Sequence, residues 1–425
     1  ITDHFSGGRP LEANLGFQYD AKRAPNAIIL RYAEGGQLVN RCDYSRVLRV
    51  IQNTQKSKTV VVYVHGWRND SGQKDELLYN YRGGDYTPQS MGGDLKSFNE
   101  FLGRLRNEDN ERPVIGIFVS WKGGTGIPVL ETLSYTNRRN GADKIGNAGG
   151  LPRLMGAIAN ISKAQETMDP KCAQKKNLTD ECVVNQLIYI GHSFGARILY
   201  KAVVDDMIVN TQLEHPSDPY NSSGPAQLSL CDRQERFNVI SSTADLVVLL
   251  NPAFEAASYQ ALNEFRYADR CFSEDQQPLM VTIQSKGDKA NRIYFPIGQV
   301  LSMEWTRLET QAVGFRKQYF SHHLKRISNK DCPVQRRLSE LPISNSTPEL
   351  YNGYCLNGIS LEYEPSASDV STGQMRLSPF LVITADDTVL DGHGWYSGRE
   401  NKNDDFKAWL VGYLSQYQPQ PPGVK

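Results

Sequence analysis

Six short, mostly apolar runs, each bounded by turn residues, limit what this chain can fold into. They are Thr59–Val64 (TVVVYV), Pro113–Trp121 (PVIGIFVSW), Gln186–Ile190 (QLIYI), Asp245–Leu250 (DLVVLL), Leu279–Ser285 (LMVTIQS) and Pro379–Thr384 (PFLVIT). A strand with one wet face alternates apolar and polar residues. A strand buried on both faces does not, and its run stays continuous. Ala27–Tyr32 (AIILRY) reads as an outer strand. Helix-like stretches fall between these runs, at Leu95–Leu105 and Phe194–Asp205, and Asp404–Leu414 reads as a closing helix. Buried strands alternating with helices predict an α/β fold with a mostly parallel central sheet and helices on both faces.

Three connections are longer than usual for such a fold: 122–185, 206–244 and 300–377. They read as cap or loop insertions on one domain spanning 1–425. Ser328–Gln374 is rich in Ser, Pro and Asn and is expected to be mostly loop. His322 and His323 lie in an aromatic, basic stretch that reads as helical.

Lys plus Arg and Asp plus Glu number 47 each, so the formal net charge is zero. That balance gives no support to a nucleic-acid partner. No apolar run reaches the ~18 residues of a membrane helix. The chain begins at Ile1 rather than Met, and most of its seven cysteines lie in polar, loop-like sequence. Both features lean towards an exported, periplasmic or secreted protein. Cys172 with Cys182, and Cys332 with Cys355, are each placed to close a short loop, although spacing does not fix connectivity. No Cys/His cluster has zinc spacing. The acidic runs RNEDNERP and ENKNDD lack the ligand pattern of a calcium loop. No metal and no organic cofactor is expected.

The run Gln186–Ile190 leads into Gly191-His192-Ser193-Phe194-Gly195 and then into a helix-like stretch. A serine at a sharp strand-to-helix turn has strained backbone, and its hydroxyl is pushed out of the sheet. Strand and helix nearly touch there, so the residues two before and two after must be small. Gly191 and Gly195 meet that demand. A second constellation follows Thr59–Val64: His65-Gly66-Trp67. Acyl transfer needs two donors aimed at the developing oxyanion. The N–H groups of Phe194 and Trp67 are the natural pair, with Gly66 allowing close approach.

These motifs resemble the α/β-hydrolase superfamily, esterase/lipase-like serine hydrolases in particular. RPVIGIFVSWKG after the His-Gly strand also resembles bacterial members of the superfamily without settled function. The resemblance implies the chain order nucleophile, acid, histidine. Ser193 is then the nucleophile. Asp288, in the Gly-containing loop after LMVTIQS, is the expected acid. Glu255, after DLVVLL, competes for that role, while Asn251 stands where some lipases carry Asp. Of the seven histidines, only His322, His323 and His393 follow the acid, and His393, in a flexible Gly-His-Gly loop after the last strand, is the expected base. Asp386, Asp387 and Asp391 lie close enough in sequence to orient its ring if Asp288 does not.

The resemblance implies cleavage of a carboxylic ester through an acyl-enzyme, with a small-molecule or lipid ester, phospholipid included, as substrate. His192, Phe194 and Trp67 are expected to line the cleft, with Trp121, Ile127, Val129 and Leu130 adding a wall or lid. A peptidase or amidase, an acyltransferase, and a non-catalytic binding protein on the same fold remain open as alternatives.

Overall fold

The alternation hidden inside each apolar run becomes visible once the two faces of the sheet are separated. The computed structural model describes residues 27–33, 35–66, 93–108, 112–121, 135–147, 150–166, 183–214, 239–267, 272, 276–302, 305–328, 332, 354–364, 378–395 and 403–417. Their strands are β1 (Ile28–Tyr32), β2 (Thr59–Val64), β3 (Val114–Trp121), β4 (Gln186–His192), β5 (Leu246–Leu250), β6 (Met280–Ser285), β7 (His322–Arg326), β8 (Cys355–Leu356), β9 (Ile359–Tyr363) and β10 (Phe380–Ala385). They form one sheet in the order β1-β3-β2-β4-β5-β6-β10-β7-β9-β8. Every pairing from β1 through β7 is parallel; β9 is antiparallel to both β7 and β8.

Eight helices flank the sheet among the described residues: α1 (Arg41–Asn53), α2 (Gly93–Glu108), α3 (Tyr135–Asn147), α4 (Gly150–Gln165), α5 (Phe194–Glu214), α6 (Ala256–Tyr267), α7 (Phe295–Leu301) and α8 (Asp404–Gln416). A single-turn helix, Arg307–Thr310, follows α7 and packs on it. Val60, Val62 and Val64 of β2 join one core with α1, α3, α4, α5 and α6. Val61 and Tyr63 join the other, with α2 and α8. Successive side chains of a strand point to opposite faces, so a run buried on both faces is apolar throughout.

Several expectations change. His322 and His323 begin a strand, β7, rather than lying in a helix. β7 pairs with β10 on one side and β9 on the other. It is near the sheet edge, so its burial alternates and its sequence, HHLKR, carries no continuous apolar signal. Within Ser328–Gln374, expected to be mostly loop, β8 and β9 form a hairpin. Its turn is Asn357-Gly358, both with positive φ (52° and 69°), the conformation that Asn-Gly hairpin turns favour. Part of 122–185 is not cap but layer: α3 packs on α5, and α4 on α1. Cys332 and Cys355 form a disulfide, with Cα atoms 5.7 Å apart, that ties residue 332 to β8. Cys172 and Cys182 lie outside the described residues. No described helix is long and apolar enough to cross a membrane.

Candidate active site

The carboxyl ends of parallel strands are where an open α/β sheet leaves its crevice. Here His65 and Gly66 follow β2, Ser193 follows β4, and Asn251 follows β5. Asp288 follows β6, and His393 follows β10. Parallel register levels these ends: Val64 pairs with Gly191, His192 with Leu250, and Ser285 with Ala385.

Ser193 has φ +55°, in the left-handed region that costs a residue with a Cβ free energy. The surroundings hold it there. Its N–H donates to the Leu250 carbonyl (3.0 Å), and its own carbonyl accepts from Ala196 N (3.1 Å) and Ala253 N (3.1 Å). The turn fits only because its neighbours lack side chains. A Cβ on Gly195 would lie 2.1 Å from the Val64 carbonyl oxygen, and one on Gly191 2.7 Å from Ala196 Cα. Gly66 closes the third side, since a Cβ there would stand 2.9 Å from Ser193 Cβ. Phe194 opens α5, so its N–H lies at the amino terminus of that helix, the positive end of the helix dipole. Trp67, the other expected oxyanion donor, lies outside the described residues.

Ser193, His393 and Asp288 meet in one hydrogen-bonded chain. His393 Nε2 is 2.8 Å from Ser193 Oγ, and His393 Nδ1 is 2.8 Å from Asp288 Oδ2. Asp288 is fully buried, while the His393 side chain keeps 29% of its surface exposed. Burial alone would raise the Asp288 pKa. The His393 hydrogen bond and charge, the Asn291 N–H and the Gln284 amide outweigh it and hold the carboxyl below its ordinary value. The acid is therefore a carboxylate at neutral pH, and a carboxylate at Nδ1 leaves the lone pair on Nε2, facing the serine.

The base loop was expected to be flexible, but hydrogen bonds tie down its described residues. Ser285 Oγ donates to the Leu390 carbonyl (2.7 Å). Asn403 Oδ1 accepts from Asp391 N (2.8 Å), and Asn403 Nδ2 donates to the Gly394 carbonyl (2.9 Å). Asn251 Nδ2 donates to the carbonyls of Gly392 (3.1 Å) and His393 (2.7 Å). The same His393 carbonyl accepts from His192 Nε2 (2.9 Å). Asn251 Oδ1 in turn accepts from Ser285 N (2.8 Å) and Gln284 Nε2 (3.2 Å), so both ends of its amide are used. A carboxylate at 251 would face two carbonyl oxygens. The Asn there is a brace between the acid loop and the base loop, a role that sequence reading missed. The only signal was its place before Pro252-Ala253.

Two further histidines are fixed as neutral rings. His192 is buried, and burial first, then the neighbouring His393, pushes its pKa down to about 3. Its Nε2 must carry the proton, because its partner is a carbonyl. His65 Nδ1 donates to the Gly66 carbonyl (2.8 Å), and its Nε2 accepts from Trp121 N (3.1 Å). The ring stacks between Phe118 and Trp121, and Trp121 Nε1 donates to the His65 carbonyl (2.8 Å). That clamp fixes Gly66, the residue that packs against Ser193.

No protein-family model, curated protein or solved structure matches the chain. The geometry stands alone.

Other candidates go elsewhere. Glu255 is not near the base. It is held by Arg197 (2.7 Å), Arg139 (2.9 Å) and Gln299 (2.7 Å) in a buried ion network that Asp143 completes through Arg197. Asp386 pairs with Lys286 and His323 on the surface (both 2.9 Å), not with His393. Asp391 contributes its backbone to the base loop. The expected aromatic cleft is corrected as well. Phe194 packs into the core against Tyr135, Trp121 stacks on His65, and His192 is buried. Phe194 and Trp121 pack into the core, while His192 faces the base loop. Ile127, Val129 and Leu130 lie outside the described residues. No described group of His, Cys, Asp and Glu could hold a metal ion.

Proposed function

We propose that this chain is a serine hydrolase with the α/β-hydrolase fold, cleaving carboxylic esters through an acyl-enzyme. One observation carries the reading: Ser193 Oγ, both nitrogens of His393 and Asp288 Oδ2 stand in a continuous chain with 2.8 Å steps. The strained, sterically over-determined elbow beneath Ser193 adds support, because strain of that kind clusters at functional sites.

In the proposed reaction, Ser193 Oγ attacks the acyl carbon as His393 Nε2 takes the hydroxyl proton. Asp288 holds the ring and stabilises the imidazolium. The imidazolium then protonates the leaving alkoxide, and the ester C–O bond breaks. Water, deprotonated by His393, attacks the acyl-enzyme and releases the acid and Ser193. The Phe194 N–H, at the amino terminus of α5, faces negative charge developing on the carbonyl oxygen.

The test is hydrolysis of a p-nitrophenyl ester series, from acetate to palmitate, by wild type and Ser193→Ala. Wild-type turnover that falls by about 10⁴-fold or more in the mutant is the expected result. Equal rates for the two proteins would sink the reading. Faster turnover of matched amides would move the activity to the amidase class.

A further inference from the structure

Of the eight large apolar side chains exposed among the described residues, five fall between Ile293 and Trp305, directly after the candidate acid: Ile293, Tyr294, Ile297, Val300 and Trp305. The π-turn Ala290–Tyr294 and α7 make one continuous helical segment. Its buried face carries Asn291, Phe295 and Gln299. Asn291 Nδ2 donates to the carbonyls of Asn251 (2.8 Å) and Pro252 (3.0 Å), and Gln299 holds Glu255. Gly298 lies against the Tyr135 ring, where a Cβ would come within 2.8 Å. The opposite face is where a surface helix puts charge. Here that face carries Ile293, Ile297 and Val300, spaced i, i+4, i+7 as one stripe. Ile293 is 47% exposed, Ile297 52% and Trp305 73%.

Lys289, Arg292 and Arg307 stand exposed around the stripe, and none has an ion-pair partner among the described residues. An apolar stripe with interfacial aromatics and a basic rim is the composition of a helix that lies in a lipid headgroup layer. A second copy of the chain fits less well, because a two-fold contact would bring the two basic rims together. A handful of side chains also falls short of the roughly 800 Å² per partner of a stable protein interface. A lipid surface needs neither shape complementarity nor a large patch. The segment is coupled to the site: Tyr135 touches Gly298 on one side and Phe194, next to Ser193, on the other.

We propose that the segment 289–302, with Trp305 and Arg307, docks the protein onto an anionic lipid surface. The choice of lipid rests on the ester-hydrolase reading; the docking surface itself does not. The experiment is co-sedimentation of the full chain with phosphatidylcholine vesicles, with and without about a quarter phosphatidylglycerol. The proteins are wild type, Ser193→Ala, and the triple variant Ile293→Ser, Ile297→Ser, Val300→Ser. Wild type and Ser193→Ala are expected to partition alike onto anionic vesicles, less so in high salt. The triple variant is expected to bind about tenfold more weakly or worse, with an unchanged melting temperature and unchanged acetate-ester turnover. The proposal is overturned if wild type stays in solution, if the triple variant binds as wild type does, or if wild type forms a dimer that the triple variant abolishes. Vesicle binding without ester turnover would instead sink the hydrolase reading and leave the docking surface standing.

Discussion

The elbow and the base loop each contribute an imidazole, with ring centres 5.1 Å apart, and the two rings do opposite work. His393 is part exposed, has a buried carboxylate behind it and a serine hydroxyl in front. In the proposed reaction it takes the serine proton, and the carboxylate behind it balances the charge. His192, on the elbow side, is buried and faces a backbone carbonyl. Charging it would leave a buried cation beside His393, so it serves as a fixed dipole. Residue type does not decide which histidine can serve as the proposed base. Solvent access and the partner at the far nitrogen do.

The comparison breaks most readily by removing each ring. His393→Ala should lower ester turnover by about 10⁴-fold or more. His192→Gln keeps a donor within reach of the His393 carbonyl and should cost about tenfold or less. Steady-state kinetics on a p-nitrophenyl ester check both. A loss as large in His192→Gln as in His393→Ala would reverse the assignment.

A smaller effect sharpens how the base loop is held. Asn251→Ala removes two donors from the loop and one acceptor from Ser285 N. Turnover should fall about 10- to 100-fold, the equivalent of one or two hydrogen bonds to aligned groups, with KM little changed. Asn251→Asp should lower turnover as well, because a buried acid there would face the same two carbonyl oxygens without the amide's two N–H groups. A variant that only melts earlier, with rate profile and kcat intact, would leave Asn251 structural.

The smallest effect is on stability. His192 has a folded pKa of about 3 against an ordinary 6.5. Below pH 6.5 the unfolded chain takes up a proton that the folded protein refuses. Stability from this group is thus complete above 6.5 and drains as pH falls towards 3, by up to about 1.4 kcal/mol per pH unit. Asp94 and Asp245, raised by burial to about 6 and about 7, act in the opposite sense: their contribution is lost as pH rises through those values. Only the difference between wild type and His192→Gln isolates the histidine. Denaturant titrations from pH 7 to 4.5 should show a shallower loss on acidification in the variant, and parallel curves would refute the buried neutral ring.

The parallel centre of the sheet was legible because burial on both faces forces continuous apolar runs, as in TVVVYV. The edge was not, since β7 needs apolar residues on one side only, and HHLKR hides that. The β8–β9 hairpin did carry its signal, Asn357-Gly358, inside a stretch whose composition suggested loop. Ser193, Asp288 and His393 could be picked out because each follows a strand in the order the superfamily resemblance implies. The roles of Asn251, His192 and His65 could not, because most of the backbone groups they grip are brought to them only by the fold. The exposed stripe after Asp288 was not singled out in the sequence; its exposure is what distinguishes it.

The most direct measurement is covalent labelling. A serine-reactive fluorophosphonate, incubated with the folded chain and with His393→Ala, is followed by mass spectrometry of the digested protein. The account predicts one adduct per chain, on the peptide carrying Ser193, formed far more slowly without His393. No adduct on the folded wild type, or label spread over other serines at the same rate in both proteins, would contradict an activated nucleophile at the elbow.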